Sequence, residues 1–183
     1  MPEPLHSKYA GVVLRESVQI VFTYASLINL DVCACDIQNA YLQAPLSEKH
    51  FIICSPEFGL ENVGKCAKII KALYGGKSAG ADYWRHVRKA MDDMKFKSCA
   101  ADIDVWYRPA ITSDSVKYYQ YVLLHTNDIL AIAEDPETFI QEELDSYFVV
   151  KKKSIGKPTQ YLGTKVTEVQ LENGQMTWSF SSS

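Results

Sequence analysis

Apolar positions change period several times along the chain, and each change predicts an element. From Arg15 to Leu30, residues Val18, Ile20, Val21, Tyr24, Ala25, Leu27 and Ile28 recur at mostly helical spacing, which predicts a well-buried helix. Val32-Cys33-Ala34-Cys35-Asp36-Ile37 is a short apolar run closing on a carboxylate, read as a buried strand with Asp36 at its C-terminal end. His50 to Cys54 reads as a second strand ended by Ser55-Pro56, Pro56 to Gly64 is turn-rich, and Lys68 to Leu73 is ambiguous. Gly75 to Gly80 forms a flexible loop that feeds a helix from about Asp82 to Met94, with Tyr83, Val87, Ala90, Met91 and Met94 as its apolar stripe. Val105-Trp106-Tyr107 is strand-like. Tyr118 to Leu124 and Asp128 to Ala133 outline a β-hairpin broken at His125-Thr126-Asn127. Pro136 opens a helix reaching about Tyr147, and Tyr161 to Val169 with Gln175 to Phe180 form a hairpin turning at Asn173-Gly174. Several hairpins among helices predict an α+β fold, with helices packed on a largely antiparallel sheet.

Composition narrows the function. Of 183 residues, 47% are apolar and 22% charged, which describes an ordinary globular chain. The net charge of −3 argues against gripping nucleic acid through bulk charge alone, while a local basic groove stays open. No apolar run approaches the length of a membrane span. Met1-Pro2-Glu3-Pro4-Leu5 lacks the pattern of a secretion signal, so an intracellular site, cytoplasmic or nuclear, is expected. The five cysteines lack disulfide or zinc spacing and read as small core residues, and the histidines show no ligand spacing.

Two carboxylates carry the candidate chemistry. Asp36 ends a buried strand, and Asp128 sits at the turn of a hairpin with apolar arms. Charges beside buried strands are costly unless paired or bound to a metal. A divalent ion would relieve their repulsion, and magnesium, a hard cation that takes carboxylates and phosphate oxygens, suits such a pair. From spacing alone the simpler reading is that Asp36 caps the following helix and Asp128 is a turn residue.

The flanking residues point to a family. Asp36-Ile37-Gln38-Asn39-Ala40-Tyr41-Leu42 resembles the first catalytic motif of reverse transcriptases. Tyr9-Ala10-Gly11-Val12-Val13, followed by Arg15-Glu16-Ser17, is similar to the family's lead into its first helix. Lys71-Ala72-Leu73-Tyr74-Gly75-Gly76-Lys77-Ser78-Ala79 resembles the Lys-x-Leu-Tyr-Gly-Leu-Lys-Gln-Ala-Pro signature of the Ty1/copia branch. Tyr121 to Leu130 lies where that branch has Tyr-Val-Asp-Asp-Ile-Leu, and Tyr161-Leu162-Gly163 is similar to its closing Phe-Leu-Gly. The motifs occur in the family's order. The chain thus resembles the RNA-directed DNA polymerase domain of a Ty1/copia-type retrotransposon.

The resemblance implies a polymerase palm-like sheet with partial fingers and no complete thumb. Residues 1–8 are a loose leader, 9–168 the palm and partial fingers, and 169–183 a hairpin remnant or tail. It implies two magnesium ions on Asp36 and Asp128, with the carbonyl of Ile37 as a further ligand. Tyr41 lies under the deoxyribose, Tyr74 and Lys77 line the pocket of the templating pair, and the Tyr161 strand seats the primer end. The partners implied are an RNA or DNA template-primer and a deoxynucleotide, with no membrane and no particular protein. The reaction implied is attack of a primer 3′-hydroxyl on the α-phosphate with loss of pyrophosphate. Three departures weigh against full activity: Asn127 stands at the family's first hairpin aspartate, His125 replaces a tyrosine, and Gly80 replaces a proline. An amide is a poor magnesium ligand, and the loss is expected to slow the reaction ~10³-fold or more. Nothing before Tyr9 resembles the family's basic Lys-Ala-Arg-Leu-Val segment, so a truncated, degenerate copy with weak or no polymerase activity is expected. The alternative is a non-catalytic module that binds nucleic acid or a partner. Lys151-Lys152-Lys153 with Lys157 either touch a nucleic-acid backbone or form a solvated loop.

Overall fold

The computed structural model describes residues 12–182. The leader and Tyr9-Ala10-Gly11 lie outside the described residues. The chain divides into two compact units, with residues 39–88 in the smaller and residues 12–38 and 89–182 in the larger. Antiparallel sheets and helices alternate through both, an α+β arrangement. Among the described residues, no helix is long and apolar enough to cross a membrane.

The larger unit is built on a five-stranded antiparallel sheet. Its strands are β1 (Asp31–Asp36), β4 (Lys97–Ser98), β5 (Val105–Ile111), β6 (Lys117–His125) and β7 (Asp128–Ala133), in the order β1-β7-β6-β5-β4. β7 is the apolar run of the second hairpin arm, and Ile129 to Ala133 are all buried, as a central strand requires. Helix α1 (Arg15–Leu27) turns Val18, Val21, Phe22 and Ala25 inward. It stops short of Leu30 because Asn29 adopts a left-handed conformation (φ 56°) and the Leu30 N–H donates to the Ala25 carbonyl at 2.9 Å. A second, three-stranded sheet holds β8 (Gln160–Tyr161), β9 (Thr164–Gln170) and β10 (Met176–Ser182). Phe22 takes the rings of Trp178 and Phe180 edge-on at centroid distances of 5.2 and 5.0 Å, which joins this hairpin to the core of Leu123, Leu130 and Ile132.

The segment read as one helix from Pro136 to Tyr147 is composite. One α turn, α4 (Pro136–Thr138), passes into a π segment over Phe139–Glu143 and a 3₁₀ turn over Leu144–Ser146. Asp135 caps it by accepting from the Thr138 N–H at 3.0 Å. Phe139, Ile140 and Leu144 are buried, whereas Tyr147, which helical spacing would put on their face, is exposed, because the widened turn rotates later positions away.

In the smaller unit, α2 (Ala40–Gln43) precedes a ribbon of β2 (Pro45–Ile53) and β3 (Cys66–Lys71), paired antiparallel with an irregularity between Pro45 and His50. β2 begins earlier than its apolar residues suggest, and the ambiguous Lys68–Leu73 stretch resolves largely as strand. Helix α3 (Ala79–Asp93) runs from this unit into the larger one. Its stripe of Tyr83, Val87, Ala90, Met91 and Met94 is buried throughout. All five cysteines are free; Cys33, Cys35 and Cys54 are buried, but Cys66, at the start of β3, is exposed.

Candidate active site

Strand register decides where the two carboxylates fall. β1 and β7 run antiparallel with Asp31 opposite Ala133, and the ladder ends with Asp36 directly opposite Asp128. Facing residues of an antiparallel pair project to the same side, with Cβ atoms about 4.5–5.5 Å apart. Two acidic side chains distant along the chain are thereby neighbours at one end of the sheet. The hairpin turn delivers the second of them. β6 continues through His125, so the loop is only Thr126-Asn127, one residue shorter than the three-residue break expected from the sequence. Thr126 adopts φ 55°, a conformation rare for a β-branched residue, as a two-residue turn demands. The Ile37 N–H donates to the Asn127 carbonyl at 2.8 Å, which ties β1 to this turn.

The neighbours of Asp36 are specific. Its Oδ1 accepts from Asn127 Nδ2 at 3.0 Å and its Oδ2 from Lys151 Nζ at 2.6 Å. Its backbone N–H donates to Ser154 Oγ at 2.9 Å, and its carbonyl accepts from the Lys151 N–H at 2.9 Å. These contacts belong to a longer strap. The Gln38 N–H donates to the Val149 carbonyl, and Ala34 and Gly156 exchange hydrogen bonds, so residues 149–156 run along the outer edge of β1. Asp36 caps no helix: α2 is led by Asn39 in a left-handed conformation, and the Asp36 carboxylate points to Asn127 and Lys151 instead. Asp128 is more exposed. Its Oδ2 lies 3.8 Å from His125 Nδ1, and partial burial together with the Asp36 charge pushes its carboxyl above the ordinary carboxylate range. Like charges held face to face destabilise a sheet unless a cation intervenes.

A cavity of about 370 Å³ opens beside the pair, lined by Asp36, Asp128, Ser154, Gln160, Tyr161 and Gly163 among others. Tyr161 is buried, and among the described residues its hydroxyl has no hydrogen-bond partner. Burial pushes its ionisation upward, with Asp128 adding to the shift. Burial likewise raises the neighbouring Cys35 thiol to about 12, which disfavours its thiolate.

The remaining residues singled out from sequence lie in the smaller unit. Tyr41 is half-buried, with its ring centroid 4.9 Å from that of Tyr74 and 5.5 Å from that of Tyr83. Tyr74 and Lys77 are exposed on the turn after β3. Gly75 takes φ 85° there, a conformation that favours glycine. The lysine run does not behave as a block. Lys151 pairs with Asp36, Lys152 with Asp145 and Lys157 with Glu168, each at 2.6–2.7 Å, because carboxylates lie within reach on neighbouring segments. Sequence reasoning missed the contact of Lys151 with Asp36. Its only signal was a basic cluster a short distance beyond Asp128, which says nothing of register.

Does this donor set suit the divalent ions that the sequence resemblance implies? As arranged, it does not. Each oxygen of Asp36 already accepts from a nitrogen donor of the protein, and residue 127, beside Asp128, is an amide. Among the described residues, no group of three His, Cys, Asp or Glu side chains could hold a metal.

Comparison with known proteins gives the class. The sequence profile of the reverse transcriptase (RNA-dependent DNA polymerase) family matches residues 3–179. The chain belongs to this family, as a copia-type reverse transcriptase domain. Similar proteins include the retrovirus-related Pol polyprotein from transposon TNT 1-94 of Nicotiana tabacum, 24% identical over 161 residues, which span 86% of this chain and 12% of that polyprotein. Another is the retrovirus-related Pol polyprotein from transposon RE1 of Arabidopsis thaliana, 25% identical over 139 residues, spanning 75% of this chain and 9% of the polyprotein. The matched region is thus a small part of each relative. No solved structure matches.

Proposed function

We propose that this chain is the palm of a retrotransposon reverse transcriptase that keeps the architecture for template-directed DNA synthesis but has lost most of its catalytic power. The observation that carries this reading is the register of Asp36 opposite Asp128, beside a cavity, with Asn127 where the family has its other hairpin carboxylate. The proposed substrates are a template-primer and a deoxynucleotide. Tyr41 is assigned to the sugar, Tyr74 and Lys77 to the templating pair, and the Ile37 carbonyl with the two aspartates to whatever cation the site accepts.

Primer extension on an RNA template, with magnesium or manganese, tests the proposal. The purified chain is expected to incorporate nucleotides ~10³-fold more slowly than its Asn127→Asp variant. Robust incorporation by the unaltered chain would show the impairment wrong. If Asn127→Asp stays silent, the cause lies outside residue 127. A second reading, a non-catalytic nucleic-acid-binding module, is favoured by one observation: the protein itself satisfies both oxygens of Asp36. Binding of RNA with a defined salt slope in the absence of any divalent ion would support it.

A further inference from the structure

The Asp36 carboxylate already carries a cation, and that cation belongs to the chain. Lys151 Nζ lies 2.6 Å from Oδ2, while the Lys151 N–H is bonded to the Asp36 carbonyl at 2.9 Å. The same residue therefore contacts Asp36 twice, and the backbone bond holds the root of the side chain in place. Ser154 reinforces this: its hydroxyl donates to the Lys151 carbonyl at 2.7 Å and accepts from the Asp36 N–H at 2.9 Å. The next lysine behaves differently, since Lys152 turns to Asp145 at 2.6 Å.

We propose that Lys151 is a tethered counter-cation that takes the place of a divalent ion on Asp36 and thereby sets the cation affinity of the acidic pair. The inference rests on the reading that Asp36 and Asp128 are the family's acidic pair. With Asp36 and Asp128 facing each other, one ammonium leaves a single net negative charge at that end of the sheet. Asn127 fills the other Asp36 oxygen with a neutral donor. A divalent ion that binds Asp36 competes with the ammonium for the same carboxylate, and the energy of that ion pair is subtracted from binding. Removing the ammonium while keeping its aliphatic stem leaves the two facing carboxylates without that counter-charge. The strap stays in place, because its bonds to β1 come from the backbone and Ser154.

The experiment measures manganese binding to the full chain by electron paramagnetic resonance of the free ion. Lys151→Met is compared with the unaltered protein, with Lys152→Met, with Asp36→Asn, with Asp36→Asn/Lys151→Met and with Asn127→Asp/Lys151→Met. Lys152→Met changes net charge equally on the same strap and controls for bulk electrostatics. Lys151→Met is expected to bind manganese about tenfold more tightly than the unaltered chain. Lys152→Met should stay within about twofold of it, and the double variant should lose the gain. A cooperative thermal melt verifies folding, and Lys151→Gln carries the comparison if the methionine variant does not melt cooperatively. Equal, Asp36-dependent affinity in the unaltered chain and Lys151→Met would overturn the proposal while leaving the acidic-pair reading intact. Absence of Asp36-dependent binding in every variant, Asn127→Asp/Lys151→Met included, would overturn both.

Discussion

Arg108 gathers several segments of the larger unit, and its replacement gives a quantitative test of the packing. Its guanidinium grips Glu143 through Nη1–Oε1 at 2.5 Å and Nη2–Oε2 at 2.7 Å. Nε donates to Gln120 Oε1 at 2.8 Å and Nη1 to the Met94 carbonyl at 2.9 Å. The same group lies over the ring of Phe96 at 4.5 Å and near that of Phe139 at 5.4 Å. One side chain thus ties β5 to β6, to the end of α3 and to the π segment. Arg108→Met keeps the stem but removes every one of these donors. Breaking a fully buried pair costs about 3–5 kcal/mol, and exposed pairs contribute about 0–1. Arg108 and Glu143 side chains are 21% and 35% exposed, so their pair falls between these limits. The orphaned Gln120, itself buried, adds to the loss. We expect a destabilisation of about 2–3 kcal/mol, or a fall of about 4–12 °C in Tm for a chain of this length. Urea unfolding followed through buried Trp106 measures it, and a double-mutant cycle with Glu143→Gln isolates the pair. A cost for Arg108→Met below about 0.5 kcal/mol, the level of an ordinary surface change, would refute the reasoning.

Two further perturbations probe other parts of the larger unit. Because burial and Asp36 raise the Asp128 carboxyl, the folded state holds its proton to higher pH than the unfolded chain does, so this group's contribution falls as pH rises from the ordinary carboxylate range through the raised value. Asp128→Asn should therefore increase Tm at neutral pH, with the gain vanishing below the ordinary carboxylate range; a gain that is instead largest in acid would contradict this sign. Phe22→Ala removes the ring that Trp178 and Phe180 meet edge-on and should cost about 3–5 kcal/mol. Limited proteolysis should then cut the β9–β10 hairpin first, and cleavage beginning elsewhere would argue against that docking.

How much of this could be read from the residues alone depends on how local each signal is. The β6–β7 hairpin is legible because alternating and continuous apolar runs flank a polar break, and the buried stripe of α3 because its period is helical. The pairing of Asp36 with Asp128 is legible only through resemblance, since spacing alone favours a cap and a turn. The family motifs supply the missing register. Three features stay hidden for physical reasons. The π segment after α4 keeps helical apolar spacing, so periodicity cannot distinguish it from an α-helix. β2 begins among polar residues because both faces of a two-stranded ribbon are largely exposed. Lys151 meets Asp36 through a strap whose path is set by backbone bonding to a strand edge, and composition is blind to that.

The strap along β1 has a further consequence for association. A sheet edge with free backbone groups invites strands from other chains. Here one margin of the five-stranded sheet is already engaged by residues 149–156, and the other ends in the two-residue β4. Among the described residues the β2–β3 ribbon pairs with no third strand, and it exposes Phe51, Ile53 and Ile70. Self-assembly into fibrils or aggregates should accordingly begin in the smaller unit, and a charged residue placed at Ile53 should improve solubility more than any change along β1.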